Sequence, residues 1–150
     1  MSYTSLTYHI VFRPYASERV IAPAHAEELY RYINGFVEMH GCRLCRIGGM
    51  PDHIHMLVKI TPKLAVADFM RDLKTSTSLF MKDNRQWFPM FRGWGKSYCA
   101  ITVSASRMPV ISRYIERQQE HHTKKSFEDE LREICREYGI EIDERYFQKE

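Results

Sequence analysis

Two kinds of hydrophobic periodicity alternate along this chain, and their order is its strongest constraint. Leu6 to Phe12 (LTYHIVF) is β-branched and aromatic and reads as a strand. After Pro23, the apolar residues Leu29, Ile33, Phe36 and Val37 recur on one helical face, and Gly41 ends the run. Cys42 to Gly48 reads as a second strand, Gly-Gly-Met-Pro-Asp as a turn, and His53 to Ile60 (HIHMLVKI) as a third strand. Helical spacing returns over Leu64 to Lys82 through Val66, Phe69, Met70, Leu73 and Phe80, and Tyr98 to Val103 (YCAITV) gives a fourth strand. Strand, helix, two strands joined by a short turn, helix, strand is the order of an α+β, ferredoxin-like antiparallel sheet.

Two more helices are predicted beyond that unit. Pro109 fits the first turn of one that runs to about His122, with only Val110, Ile111 and Ile115 as apolar residues, so most of its surface should face solvent or a partner. Ser126 is a plausible N-cap for the last, whose stripe is Phe127, Leu131, Ile134, Cys135 and Tyr138 and whose stop is Gly139. The reading is one domain: a ferredoxin-like core over 1–105, a helix over 106–125, and an acidic C-terminal helix and tail over 126–150. At 150 residues, with 44% hydrophobic and 27% charged, the chain can bury a core and is no disordered polymer. No apolar run approaches the roughly 20 residues that span a bilayer, and Met1-Ser2-Tyr3-Thr4 has no signal-peptide layout, so a cytoplasmic protein is expected. Cys42 and Cys45 make a C-x-x-C, but Cys99 and Cys135 stand alone, so the paired spacing of a four-cysteine zinc site is missing and reduced, structural thiols are expected.

The formal charge of +3 hides a division. Residues 1–125 carry 18 Lys/Arg against 10 Asp/Glu, and residues 126–150 carry 4 against 9. A basic body with an acidic tail suits a nucleic-acid binder, although a solvated charged surface explains charge alone equally well.

Alternate side chains of a strand share a face, so His53 and His55 point together while Ile54, Met56, Val58 and Ile60 cover a core on the other side. The two imidazoles are then close enough to hold one metal ion on an accessible face; an isolated H-x-H is also a common surface accident. On the following helix, Tyr114 and Gln118 lie four residues apart on one face. A tyrosine hydroxyl helped to lose its proton is a covalent nucleophile, and a glutamine carbonyl suits Mg²⁺ or Mn²⁺. The alternative is an amphipathic helix whose tyrosine packs on the sheet.

Taken together, Met50-Pro51-Asp52-His53-Ile54-His55-Met56-Leu57-Val58 resembles the histidine–hydrophobe–histidine strand of single-strand DNA endonucleases. The segment Tyr114 to His122 (YIERQQEHH) resembles the Y-x-x-x-Q helix of the single-tyrosine transposases of the insertion-sequence 200/605 family, and Tyr8 to Arg13 resembles that family's first strand. The likeness runs from about Thr7 to Tyr146 in the family's order. It implies that His53, His55 and Gln118 bind a divalent metal, Mg²⁺ or Mn²⁺, and that Tyr114 attacks single-stranded, hairpin-bearing DNA ends through a 5′-phosphotyrosine. It also implies a homodimer whose tyrosine helix is exchanged between subunits. Lys74, Arg92, Lys96, His121 and His122 are the candidate DNA contacts, Lys74 near phosphate and Arg92 and Lys96 within the aromatic stretch Trp87 to Tyr98, although such a stretch is more often a strand-edge loop closing the core and the two histidines equally suit solvent.

Two features depart from the family pattern: the weakly basic run Pro14 to Arg19 after the first strand, and the Cys42/Cys45 pair. A tamed relative that processes genomic hairpins would share this site, and a non-catalytic ferredoxin-like nucleic-acid binder would need neither metal nor Tyr114. A zinc hydrolase is disfavoured because H-E-x-x-H is missing.

Overall fold

A computed structural model of the chain describes residues 2–121 and 124–147. Among the described residues the strands and α-helices follow one another as β1 (Thr7–Pro14), α1 (Ala26–Met39), β2 (Arg43–Met50), β3 (His53–Lys59), α2 (Val66–Asp83), β4 (Trp94–Thr102), α3 (Met108–Glu116), α4 (Gln118–His121) and α5 (Phe127–Glu137). The four strands form one antiparallel sheet in the order β2-β3-β1-β4, the ferredoxin-like arrangement. No helix among the described residues is long and apolar enough to cross a membrane.

Alternation along the two central strands builds two different faces. Ile10 and Phe12 of β1 and Ile54, Met56 and Val58 of β3 point to one side, where Leu29, Ile33 and Val37 of α1 and Phe69, Met70 and Leu73 of α2 close the main core. Phe88 and Phe91 are fully buried in that core, and the indole of Trp94 donates to Thr77 Oγ1 at 2.9 Å. The aromatic stretch 87–98 therefore closes the core. Its second half extends β4 back to Trp94, which pairs with Pro14 across a bulge, four residues before the expected start at Tyr98.

The opposite face is covered too, contrary to the accessible histidine face expected from sequence. Val11 and Ile101 lie under Phe127, Leu131, Ile134 and Cys135 of α5, while Leu57 and Val103 lie under Ile111 and Ile115 of α3. The few apolar residues of α3 suffice because Ile111 and Ile115, four apart, land on one face, and Gly48 of β2 lets the helix come close. A Cβ at Gly48 would stand 2.8 Å from the Ile115 carbonyl oxygen, closer than any real contact. The helix expected to run on to His122 breaks at Arg117 (φ −96°, ψ 20°), and α4 restarts at Gln118.

Ser126 caps α5 as expected, its Oγ accepting from the Asp129 amide at 3.2 Å, and Gly139 takes the left-handed conformation (φ +67°) that ends it. Cys42 packs beside the main core and Cys45, the extra residue of a bulge in β2, packs beside α3 on the other face. The two thiols of the C-x-x-C are thus on opposite sides of the sheet and form no joint site.

Candidate metal and nucleophile site

The site is built where β1 and β3 run side by side beneath α3, α4 and α5. His53 and His55 project from one face of β3, both fully buried. Around them gather Gln118 at the start of α4, Tyr114 near the end of α3, and Glu130 from the first turn of α5. His53 Nε2 lies 2.9 Å from Gln118 Oε1 and 3.2 Å from Glu130 Oε1, and His55 Nε2 lies 3.0 Å from the same Glu130 oxygen. Gln118 Nε2 donates to Glu130 Oε2 at 2.9 Å, and the Tyr114 hydroxyl donates to that oxygen as well. The Tyr114 and His55 rings are 5.7 Å apart.

A buried carboxylate is costly, and it is held here by apolar anchors as well as polar partners. Phe127 stacks on the His53 ring at a centroid distance of 4.3 Å, and Leu131 and Ile134 pack on the sheet. Three large apolar side chains contribute about 2 kcal/mol each, enough to offset the several kcal/mol that desolvating one carboxylate costs.

Each histidine is also steered from behind. Asp52 Oδ1 is 2.8 Å from His53 Nδ1, and His9 Nε2 is 2.8 Å from His55 Nδ1. Such contacts to the far ring nitrogen fix ring orientation and aim Nε2 at the cluster, the arrangement found behind metal-ligating imidazoles. One ligand atom each from His53, His55 and Glu130 lies within 4.8 Å of the others, and the Gln118 oxygen adjoins them. Two imidazoles, a carboxylate and a neutral oxygen fit a divalent cation.

The electrostatics follow from burial and from Glu130. Burial and the charge and hydrogen bond of Glu130 together push the Tyr114 pKa well above its ordinary value, so the tyrosine is held as the neutral phenol. Burial lowers the pKa of His53, but hydrogen bonds to Asp52 and Glu130 and their charges outweigh it and hold the group at about 9. His9 moves the other way, to about 3, because burial and the neighbouring His55 disfavour its charge more than Glu130 favours it. Burial tends to raise the pKa of Asp52, and its contacts with His53 and Arg19 outweigh that and lower it.

These shifts predict how the metal-free fold responds to pH. The raised His53 contributes stability that is fully present below its unfolded value of 6.5 and is lost as pH rises through about 9. The lowered His9 binds its proton in the unfolded chain below 6.5 but in the fold only near 3, so stability also falls across that interval on acidification. Urea midpoints are expected to peak near neutrality, and measurement at about pH 5, 7 and 9.5 checks this. A midpoint at 9.5 as high as that at 7 would contradict the role given to His53.

The residues expected to touch metal or act as nucleophile, His53, His55, Tyr114 and Gln118, are brought together within this chain. The expected DNA contacts are scattered. Lys74 donates its ammonium to the carbonyls of Gly95, Lys96 and Ser97 at 2.9, 3.1 and 3.4 Å, which engages all three protons inside the fold. Arg92 makes a two-pronged pair with Glu18 at 2.8 and 2.9 Å. Lys96 is exposed on β4, His121 ends α4, and His122 lies outside the described residues. Sequence reading missed His9, Asp52 and Glu130. Glu130 had left a trace, since it falls three residues after Phe127 and four before Ile134, a charge on an apolar stripe.

Comparison with known proteins agrees with this geometry. The family model described as "Transposase IS200 like" matches residues 2–118, which include β1, β3, α3 and Gln118 but not Glu130. The ISDra2 transposase TnpA of Deinococcus radiodurans is 29% identical over 119 residues, covering 77% of this chain and 85% of that protein. The transposase for insertion sequence element IS200 of Salmonella typhimurium is 28% identical over 123 residues, covering 75% of this chain and 76% of its own. A crystal structure from Deinococcus radiodurans R1 superposes with a TM-score of 0.61 at 27% identity, over 78% of this chain and 93% of the other. A REP-associated tyrosine transposase bound to a REP hairpin shares the fold at a TM-score of 0.61 and 10% identity, over 81% and 72%. With a match over that much of its length, the chain belongs to the IS200-like transposase family.

Proposed function

We propose that this chain cleaves and rejoins single-stranded DNA at element ends, with Tyr114 as nucleophile and a divalent cation, Mg²⁺ or Mn²⁺, held by His53, His55, Gln118 and Glu130. The observation that carries the reading is the convergence of a tyrosine hydroxyl, two back-supported imidazoles and two oxygen ligands in one buried cluster of one chain.

In the reaction the Tyr114 oxygen forms a bond to phosphorus as the bond from phosphorus to the 3′-oxygen breaks. The result is a 5′-phosphotyrosine and a free 3′-hydroxyl, which can attack a second phosphotyrosine with no nucleotide cofactor. Glu130 Oε2 already accepts the proton that Tyr114 must give up, yet burial and the negative charge of Glu130 hold the phenol protonated. A bound cation supplies the positive charge that offsets Glu130 and polarises an oxygen of the scissile phosphate. His9 and Asp52 keep the two imidazoles aimed, and Gln118 ties His53 to Glu130.

The test is covalent capture. The chain is incubated with its gene's flanking DNA as labelled single strands and with Mn²⁺ or Mg²⁺, then run under denaturing conditions. A labelled protein band is expected, and it should vanish with chelator and in His53→Ala/His55→Ala. Failure to label with either cation would refute the reading, and labelling that persists in the double variant would refute the metal assignment.

A further inference from the structure

Lys74 and Arg92, two of the expected DNA contacts, are engaged elsewhere, but a different group of cations stands beside Tyr114. Arg113 and Arg117 on and just after α3, with Lys124 and Lys125 ahead of α5, line an open groove of about 570 Å³ whose wall includes Tyr114 and Val110. Four cations face a single carboxylate in that lining, Glu120.

A solvated charged surface is the competing explanation, and the gathering of four cations in one lining beside Tyr114 speaks against it. Four arginines elsewhere hold acidic partners, Arg71 with Asp68 and Asp72, Arg92 with Glu18, Arg132 with Glu128 and Glu144, and Arg145 with Asp143, whereas Arg31, Arg43 and Arg136 are exposed singly with no ion pair among the described residues. Arg113, Arg117 and Lys124 have no ion pair among the described residues, although acidic α5 follows directly; Lys125 pairs with Glu133. Like charges gathered without partners repel one another, and a polyanion relieves that repulsion. Guanidinium groups also fit phosphate oxygens with two parallel hydrogen bonds.

We propose that this groove seats the phosphates of the single DNA strand next to the bond that is cut, with Arg113 and Arg117 on the phosphates nearest Tyr114 and Lys124 and Lys125 on the continuing strand. The inference rests on Tyr114 being the nucleophile. It gives the strand a path in which the reacting tyrosine forms one wall.

Binding is measured by fluorescence anisotropy on the full chain in the Tyr114→Phe background, so that cleavage cannot intervene, with an unstructured labelled single strand. Arg113→Ala/Arg117→Ala is expected to weaken binding about tenfold or more at 0.1 M salt and to flatten the log–log salt slope by about 1.4, the value for two lost contacts on a single strand. Lys63→Ala/Lys82→Ala removes the same charge from exposed positions flanking and ending α2 and should change neither quantity appreciably. Should the arginine variant lower the melting temperature, Lys124→Ala/Lys125→Ala repeats the test away from α3 and should also flatten the slope. Unchanged affinity and slope in the groove variants, or an equal loss in the Lys63/Lys82 control, would overturn the proposal. Covalent labelling of the wild-type chain keeps the two readings apart. Labelling with unchanged binding in the groove variants defeats the groove alone, whereas no labelling defeats the role of Tyr114.

Discussion

Phenylalanine at position 114 is expected to abolish the covalent protein–DNA adduct, lowering it at least a thousandfold to the limit of detection, while the fold and cation binding persist. The change removes one oxygen and its proton. Glu130 keeps its contacts with His53, His55 and Gln118, so the buried carboxylate is still satisfied and the stability cost should be about 1 kcal/mol. His53 and His55 keep Asp52 and His9 behind them, so the ligand geometry is undisturbed. Labelled adduct on a denaturing gel reads the chemistry, and urea unfolding reads the fold. Adduct surviving in Tyr114→Phe would mean that another residue attacks, and His53, His55 and Glu130 would need a different partner.

Glu130 should give the second large effect. The family likeness implies a ligand set of His53, His55 and Gln118, whereas the structure places a carboxylate from α5 beside these three side chains. Replacing Glu130 by alanine leaves a protonated His53 with one acceptor fewer and removes the anion that a cation would meet. Loss of one partner from a buried pair costs about 3–5 kcal/mol, which urea unfolding of the metal-free protein should show. Mn²⁺ affinity, measured calorimetrically, should fall by at least about a hundredfold, in line with losing a direct ligand where even outer partners cost tenfold or more. Glu130→Gln keeps the shape and most of the hydrogen bonds, so it separates packing from charge. It should regain much of the stability and little of the Mn²⁺ affinity. Mn²⁺ affinity that is unchanged in Glu130→Gln would return the ligand set to the two histidines and Gln118.

The sequence carried the local part of this site and concealed the long-range part. Period-two alternation places His53 and His55 on one face of β3, and that needs nothing beyond the strand itself. The four-residue spacing of Tyr114 and Gln118 puts both toward the histidines, even though the helix between them breaks at Arg117. His9 meets His55 only through the pairing of β1 with β3, a contact 46 residues apart that no local pattern encodes. Glu130 sits in an acidic first turn with Glu128 and Asp129, where the helix dipole alone explains all three. Only its place on the apolar stripe singles it out. The start of β4 folds across Lys74 and supplies three carbonyls to its ammonium, a contact that the local helical pattern does not encode.

Gly48 gives the site its ruler. The Ile115 carbonyl oxygen occupies the space where a side chain at position 48 would begin, and Tyr114 is the residue before Ile115. Gly48 is also paired with His55 across the β2–β3 ladder. The spacing between Tyr114 and the histidine strand is therefore set by the thickness of a bare backbone, a hard stop with no rotamers to average over. A site that must hold its groups to within about 0.5 Å gains that tolerance here from an atom that is missing. Any larger residue would lift the end of α3 and move Tyr114 and Gln118 as one body, changing the reach of the hydroxyl and of the amide together.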